Sequence, residues 1–168
     1  SGMPAQDLPL NPRKHLVPQD EEESFLSWVH AFLNAQRTLI LATCQESVPT
    51  CNIMGFGFIS GRCSLVVVTP ENTRKCVAMR RNPNVSALAA DGSAFRQDLH
   101  GGTAVTLNGR AYEIQGPGRP KAEEVFIHRN PDLEAFARSP QSVLFGIAVH
   151  HVVAVTNFQE LTELHLEG

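Results

Sequence analysis

The sequence has no long hydrophobic run, few aromatic residues and no strong excess of either charge. Its longest apolar stretches, at 65–69 and 152–155, are far shorter than the roughly 20 residues that span a bilayer. The formal net charge of −3 leaves no basic surface large enough to indicate a nucleic-acid or anionic-membrane partner. We therefore expect no transmembrane helix and no nucleic-acid partner, and any cluster of cations must be local.

Cysteine is also sparse, and its spacing contains no CxxC pair: the four residues are Cys44, Cys51, Cys63 and Cys76. This spacing favours neither zinc ligation nor a redox motif, so we expect reduced core residues and no metal site. The N-terminal residues lack the apolar segment of a secretory signal, which predicts a cytoplasmic protein. Ser1-Gly2 precede Met3 and are typical of residues left by cloning.

A chain of 168 residues with 42% hydrophobic residues suits a single domain with one core. Residues 1–19 are polar and rich in proline, which predicts an extended N-terminal arm ahead of a folded domain at 20–168. Apolar residues then recur at helical spacing, which predicts an amphipathic helix over 20–35 with Trp28 in the core.

Short β-prone runs follow one another with few helices between them. Strands are predicted at 38–43, 50–59, 63–69, 85–90 and 103–114, with a strand or strand pair over 142–158. Short helices are predicted at 73–81, 121–128 and 131–138. This near-sequential order of strands argues against a doubly wound sheet. It predicts a mainly β (α+β) fold, a six- to seven-stranded antiparallel barrel with a few short helices.

Glycines interrupt two of these strands. Gly55 and Gly57 weaken the second strand, which indicates a bulge or the close approach of a ligand or another backbone. The pair Asn108-Gly109 in the long strand at 103–114 indicates a turn or a bulge.

Two cations, Arg74 and Lys75, lie in the first turn of the helix predicted at 73–81, for which Asn72 is the expected N-cap. The helix dipole disfavours each cation there by about 0.3–1 kcal/mol. A bound anion would compensate, because a helix N-terminus offers free N–H groups and a guanidinium binds phosphate with two hydrogen bonds. Thr73 could donate its hydroxyl to the same anion. The alternative is a solvated pair of surface charges.

The order of these motifs resembles the pyridoxamine 5'-phosphate oxidase-like family of FMN-binding split barrels. The resemblance rests on a strand ending at Thr69, the run Thr73-Arg74-Lys75, a short helix and an Asn82-Pro83-x-Val85 start to the next strand. The hairpin around 39–56 and the strand at 105–111 are similar to the same family. The match covers roughly residues 36–115, and beyond them only the order of elements agrees.

The resemblance implies an FMN cofactor and a homodimer with the flavin near the subunit interface. By residue, it implies that Arg74 and Lys75 bind the FMN phosphate with help from Thr73. It further implies that Ile53 and Met54 line the isoalloxazine ring, largely through their backbone. Val68 and Thr69 would contact the flavin from the neighbouring strand.

The sequence departs from vitamin B6 oxidases of this family, which carry an Arg and a Lys on the strand corresponding to 51–58 and an Arg-Leu-His-Asp-Arg type segment near the C-terminus. This chain has neither, and the flavin-ring glutamine expected near Ala104 is absent. We therefore expect a flavin-dependent oxidoreductase, a flavin reductase or small-molecule oxidase, and not a strict vitamin B6 oxidase. Substrate, electron donor and catalytic residues are not predicted.

Two alternatives remain open from the sequence. One is a non-catalytic protein that binds or senses flavin, because no substrate-binding residue is evident. The other is a haem- or deazaflavin-binding variant of the same barrel, for which His150-His151 could supply a ligand. Alternation along a strand would turn only one of these two histidines towards a ligand. His100, beside Gly101-Gly102, lies in a predicted loop that could reach the site.

Overall fold

The computed structural model describes residues 13–59, 61–92, 101–157 and 160–166. The strands are β1 (Arg13–Leu16), β2 (Leu39–Gln45), β3 (Val48–Met54), β4 (Gly57–Phe58), β5 (Ser64–Pro70), β6 (Asn84–Ala90), β7 (Thr103–Ile114), β8 (Ser142–Thr156) and β9 (Glu160–His165). The α-helices are α1 (Glu22–Asn34), α2 (Arg74–Arg81), α3 (Arg119–Arg129) and α4 (Glu134–Arg138). Short 3₁₀ turns occupy Gln19–Glu21, Gly116–Gly118 and Pro131–Leu133. In this part of the chain, no helix is long and apolar enough to cross a membrane.

One sheet of nine strands connects these elements in the order β1-β9-β8-β7-β6-β2-β3, with β5 pairing both β4 and β8. The long strand β8 explains the branch. Its first half, from Ser142 to Ala148, pairs with β5, whereas its second half, from His151 to Thr156, pairs with β9. Two strands therefore share one edge of β8 and the sheet splits between them. The predicted class, a mainly β split barrel, is confirmed.

The hairpin side of the barrel contains a second break. Strand β3, which pairs with β2, ends at Met54. The next strand, β4, pairs with β5 instead. At Gly55, an added Cβ would lie 2.7 Å from Oδ1 of Asn130, and at Gly57 one would lie 3.0 Å from the carbonyl oxygen of Val125. The close approach predicted at these glycines is therefore made by the protein's own α3 region. On this side of the strand the space beside both glycines is therefore occupied by the protein and not by a ligand.

The core follows from alternation along the strands. Leu39 and Leu41 of β2 and Leu65 and Val67 of β5 point into the main cluster. The intervening residues of β5, including Val68, pack instead into a second cluster under α3 and α4. Residues Leu65 to Thr69 are thus buried on both faces of the sheet. An unbroken apolar run, such as the one at 65–69, is typical of such a strand.

Several sequence predictions need correction. The described sheet has nine strands where six or seven were expected, because β1, β4 and β9 were not predicted as separate strands. Residues 13–16, placed in an extended arm, pair in parallel with β9. Trp28 is 41% exposed and does not belong to the core; it stacks between Phe25 and Phe32 on the outside of α1. The register between β7 and β8 shifts at Asn108-Gly109, where a turn or a bulge was predicted. Asn108 pairs with His151 and Gly109 with Val149, so the extra residue of the bulge is His150 on β8.

Candidate functional site

Helix α2 begins where the buried strand β5 ends, and Thr73 is its N-cap. The backbone N–H of Cys76 donates to Oγ1 of Thr73 at 3.3 Å, so the cap is one residue later than the predicted Asn72. The extended backbone of Thr73 is typical of an N-cap residue. This geometry leaves Arg74 and Lys75 as the first two residues of the helix, where backbone N–H groups have no intrahelical acceptor.

Two threonine hydroxyls form a small network beneath this helix start. Oγ1 of Thr69 lies 2.7 Å from Oγ1 of Thr73, and the hydroxyl of Thr73 donates to the carbonyl oxygen of Pro70 at 2.8 Å. The Thr73 hydroxyl has one proton, and the carbonyl of Pro70 already accepts it. The hydroxyl of Thr73 therefore links the start of α2 to the end of β5. Donation to an anion would require that the bond to Pro70 be given up.

The charges of α2 divide into a paired and an unpaired set. Nε of Arg80 donates to Oε1 of Glu113 at 2.7 Å, and Arg81 lies 3.9 Å from a carboxylate oxygen of Glu46. The bond from Arg80 lowers the pKa of the Glu113 carboxyl. By contrast, Arg74 and Lys75 form no ion pair or side-chain hydrogen bond with any residue that the structure describes. Two cations at the positive end of a helix dipole thus lack an acidic partner.

A shallow cleft opens beside Arg74. It has a volume of about 240 Å³, and its lining comes from the end of the β2–β3 hairpin and from α2: Gln45, Glu46, Val48, Thr50, Arg74 and Ala78. The cleft connects the helix start to β3, the strand on which the predicted contacts Ile53 and Met54 lie. Its lining contains one cation, Arg74, and one carboxylate, Glu46, which lies near Arg81, so an anion would bind at the helix terminus with the rest of the ligand extending along the hairpin.

Strand β3 is the last strand on its side of the described sheet, since it pairs only with β2. An edge strand presents one row of backbone N–H and C=O groups that no neighbouring strand uses. Ile53 is 74% exposed, whereas Met54 is buried in the main cluster. A ligand at this edge could bind the backbone of both residues, but only the side chain of Ile53 is accessible.

The side chains of Val68 and Thr69 are inaccessible to a surface ligand. Val68 is 4% exposed and packs into the cluster under α3, and Thr69 is fully buried. Val68 and Thr69 could therefore contact a cofactor only through their backbone atoms. The predicted site thus separates into accessible side chains, on Ile53, Arg74 and Lys75, and buried residues that support the helix start and strand.

A polar network on the outer face of the sheet was not predicted. Oγ of Ser86 donates to Oδ1 of Asn108 at 2.7 Å, and Nδ2 of Asn108 lies 3.0 Å from Nδ1 of His151. Nε2 of His151 is 2.5 Å from Oε1 of Glu163, whose other oxygen lies 2.8 Å from Nζ of Lys14. We call these five residues the outer-face polar chain; it crosses β6, β7, β8, β9 and β1.

The carboxylate of Glu163 is the charged centre of this chain. Hydrogen bonds from Lys14 and then His151 lower its pKa to about 2. The side chain of Glu163 is only 12% exposed, so these partners replace most of its water. The second histidine of the predicted pair, His150, is exposed and lies outside this network. His100 falls outside the described residues.

Fold and site together define a split-barrel protein in which the first turn of α2 carries two cations without an acidic partner among the described residues, near the edge strand β3. The model of the pyridoxamine 5'-phosphate oxidase family matches residues 27–155, most of the chain. The chain belongs to this family. A pyridoxamine 5'-phosphate oxidase homolog of Schizosaccharomyces pombe is 26% identical, over 66% of this chain and 71% of that protein.

Solved structures support the same fold. A pyridoxinephosphate oxidase-family protein from Clostridium acetobutylicum, related to general stress protein 26, superposes with a TM-score of 0.65 at 12% identity, over 85% of this chain and 95% of that chain. A haem-binding protein from Mycobacterium smegmatis superposes with a TM-score of 0.73 at 17% identity, over 89% of this chain but only 59% of the neighbour. At these identities the likeness extends to fold alone.

Proposed function

We propose that this protein binds FMN and acts as a flavin-dependent oxidoreductase, a flavin reductase or a small-molecule oxidase. The observation that carries the proposal is the start of α2, where Arg74 and Lys75 have no protein partner within the described residues and Arg74 lines a cleft that reaches β3. A phosphate monoester is a dianion near neutral pH, and it would neutralise both side chains while accepting from the free N–H groups of the first helical turn.

The residues present fit an FMN molecule in outline. Strand β3 rises about 3.4 Å per residue, so the backbone of Ile53 lies roughly 10 Å beyond Thr50 at the cleft. A flavin laid along this edge would extend from the cleft towards Ile53, with its phosphate at the start of α2. Free backbone groups at the edge offer hydrogen bonds to the ring, whereas the side chain of Ile53 projects from the face of β3 opposite to Val48 and Thr50, the β3 residues that line the cleft.

Bound flavin would supply hydride or electron transfer, while the protein supplies binding and orientation. In this account Arg74 and Lys75 anchor one end of the cofactor, and the rigid pair Thr69 and Thr73 fixes the anchor on β5. The β3 backbone at Ile53 and Met54 sets the position of the ring. The proposal needs no acid–base pair on the protein, and it leaves substrate and electron donor open.

We further propose a homodimer with the flavin near the subunit interface. Across β3, β2 and β6, the register aligns Ile53, Ile40 and Leu88 in one apolar row on the outer face of the sheet. Leu88 is 38% exposed and Ile53 is 74% exposed, so water contacts much of this row in the single chain. A second copy that covered the row would bury it and would enclose the adjacent cofactor edge.

The anchor is tested by titrating FMN into apoprotein and following the quenching of flavin fluorescence. Charge-assisted hydrogen bonds contribute about 1.5–3 kcal/mol each, so the double variant Arg74→Ala, Lys75→Ala should weaken binding on the order of 100-fold or more. Arg81→Ala, at the other end of α2, is the matched control and should bind FMN like the parent. Equal affinity in the double variant and the parent would refute the anchor.

Catalysis is tested separately from binding. The holoprotein is incubated with NADH or NADPH, and their oxidation is followed with free FMN or oxygen as acceptor. A flavin reductase or oxidase using these donors turns over, whereas a protein that only carries or senses flavin shows no steady-state oxidation. The haem and deazaflavin alternatives are distinguished by the absorption spectrum of the chromophore, because each ligand absorbs differently.

A further inference from the structure

The β9 end of the outer-face polar chain brings together three side chains that can ligate a metal. His151 and His165 lie directly opposite each other on β8 and β9, and Glu163 lies two residues before His165 on the same strand. Because side chains alternate along a strand, all three project from one face of the sheet. One ring nitrogen of each histidine and a carboxylate oxygen of Glu163 lie within 4.8 Å of one another.

We propose that His151, Glu163 and His165 form a binding site for a divalent transition-metal ion of the zinc class, with water completing the coordination. Two imidazoles and one carboxylate are a ligand set that zinc accepts, and three protein ligands leave one position open. The site is independent of the proposed flavin anchor, because it involves none of the residues of α2 or β3.

The distances between ligand atoms agree with this assignment. Ligands about 2.05 Å from a tetrahedral zinc are separated by roughly 3.3 Å. Nε2 of His165 lies 3.4 Å from Oε1 of Glu163, close to that separation. Nε2 of His151 lies 2.5 Å from the same oxygen, so this hydrogen bond would open by roughly 0.8 Å as the ion replaces the shared proton. The imidazole rings stack with centroids 4.4 Å apart, so their in-plane lone pairs lie side by side, and the exposed ring of His165 has to rotate before both nitrogens bind the same ion.

The neighbouring residues can orient the key imidazole. A histidine that ligates through Nε2 carries its proton on Nδ1 and usually donates it to a fixed acceptor. Asn108 lies 3.0 Å from Nδ1 of His151. If the side-chain amide of Asn108 is flipped by a 180° rotation, its Oδ1 accepts from Nδ1 of His151 and its Nδ2 donates to Oγ of Ser86. Asn108 and Ser86 then serve as positioning residues for the metal-binding tautomer.

The exposure of His165 and the charge of Lys14 affect how an ion reaches and binds the proposed site. The side chain of His165 is 67% exposed, so an ion can enter from solvent without unfolding of the sheet. Lys14 holds the second carboxylate oxygen of Glu163 at 2.8 Å and leaves Oε1 for the metal. The ammonium also repels a dication, which limits the affinity of the site.

The test is a titration of purified, EDTA-treated and dialysed protein with Zn²⁺ by calorimetry, and with Co²⁺ by visible absorption. We expect one ion per chain and cobalt d–d bands. His151→Ala and His165→Ala should each weaken Zn²⁺ binding by more than about 100-fold, because loss of even an outer partner typically costs 10–100-fold. Asn108→Ala should fall within that 10–100-fold range.

His150→Ala is the matched control, since it removes a neighbouring exposed histidine outside the cluster, and it should bind like the parent. Circular dichroism establishes that each variant is folded, and the exposed position of His165 makes that variant tolerant of truncation. Failure of the parent to bind Zn²⁺ would overturn the proposal. Equal binding by His165→Ala, or a cobalt–thiolate charge-transfer band that assigns the ion to a cysteine, would also overturn it. Because FMN plays no part in the readout, this result is separate from that of the flavin proposal.

Discussion

At the scale of single residues, the start of α2 shows how much a sequence can reveal about a site. Arg74 and Lys75 were predicted from an unfavourable position in the helix dipole, and the structure leaves both without a partner among the described residues. Arg80 and Arg81, at the favourable end, each lie near a carboxylate. The contrast depends on tertiary contacts with Glu113 and Glu46, which the spacing of residues along the helix cannot reveal.

Glu163 gives a prediction about pH. Its folded pKa of about 2 lies below the ordinary value of 4.5, so its ionised form stabilises the folded state. That contribution is complete above about pH 4.5 and is lost as the pH falls towards 2. We expect Glu163→Gln to be less stable than the parent at neutral pH, with the difference disappearing in acid.

The measurement is denaturant unfolding of both proteins in EDTA at several pH values between 2 and 7. Lys14→Met, which removes the first cause of the shift, should reproduce part of the effect. A stability difference that stayed constant across this range would contradict the assignment of the lowered pKa to Glu163.

At the scale of elements, Thr73 caps α2 and links it to β5, and its hydroxyl could take the predicted role at an anion only by giving up the bond to Pro70. Loss of an N-cap hydroxyl costs about 0.5–2 kcal/mol. Thr73→Ala should therefore lower the free energy of unfolding of the apoprotein by about that amount, whereas Thr73→Ser, which keeps the hydroxyl, should be close to the parent. Urea unfolding without FMN measures both. If the alanine variant were as stable as the parent, the capping role would be wrong.

Elements with strong local patterns were predicted well. The apolar run of β5 and the Asn-Gly pair of β7 gave the position of a buried strand and a bulge. By contrast, β9 has the sequence Glu-Leu-Thr-Glu-Leu-His, in which the two leucines are three residues apart and so give no alternating apolar pattern, and no Phe, Trp or Tyr appears. Strand β1 follows a proline-rich segment and is exposed along its length. Both are specified by pairing with a neighbour, so local propensity does not identify them.

The outer-face polar chain illustrates the same limit. Its members lie far apart in sequence, from Lys14 to Glu163, and come together only through the register of β6 to β9. The sequence suggested that one of His150 and His151 would face a ligand, and it could not say which. Asn108 pairs with His151 and Gly109 with Val149, so His150 is the extra residue of a bulge on β8, which simple alternation along the strand cannot reveal.

At the scale of the whole molecule, the exposed apolar row on β3, β2 and β6 predicts self-association. We expect the parent protein to elute with twice the chain mass in size-exclusion chromatography with light scattering. Leu88→Glu should shift it to the monomer, because a buried charge in an apolar interface is costly. Leu16→Glu, an exposed leucine on β1 outside the row, should remain dimeric. A monomeric parent would contradict the proposed assembly.

The central claim, that this member of the pyridoxamine 5'-phosphate oxidase family is a flavoprotein, is tested most directly by the chromophore itself. The protein, purified and saturated with FMN, is freed of unbound ligand and its visible spectrum is recorded before heat release and mass identification of the ligand. We predict an isoalloxazine spectrum and FMN at close to one molecule per chain. A colourless protein after saturation, or a haem spectrum as isolated, would contradict the claim.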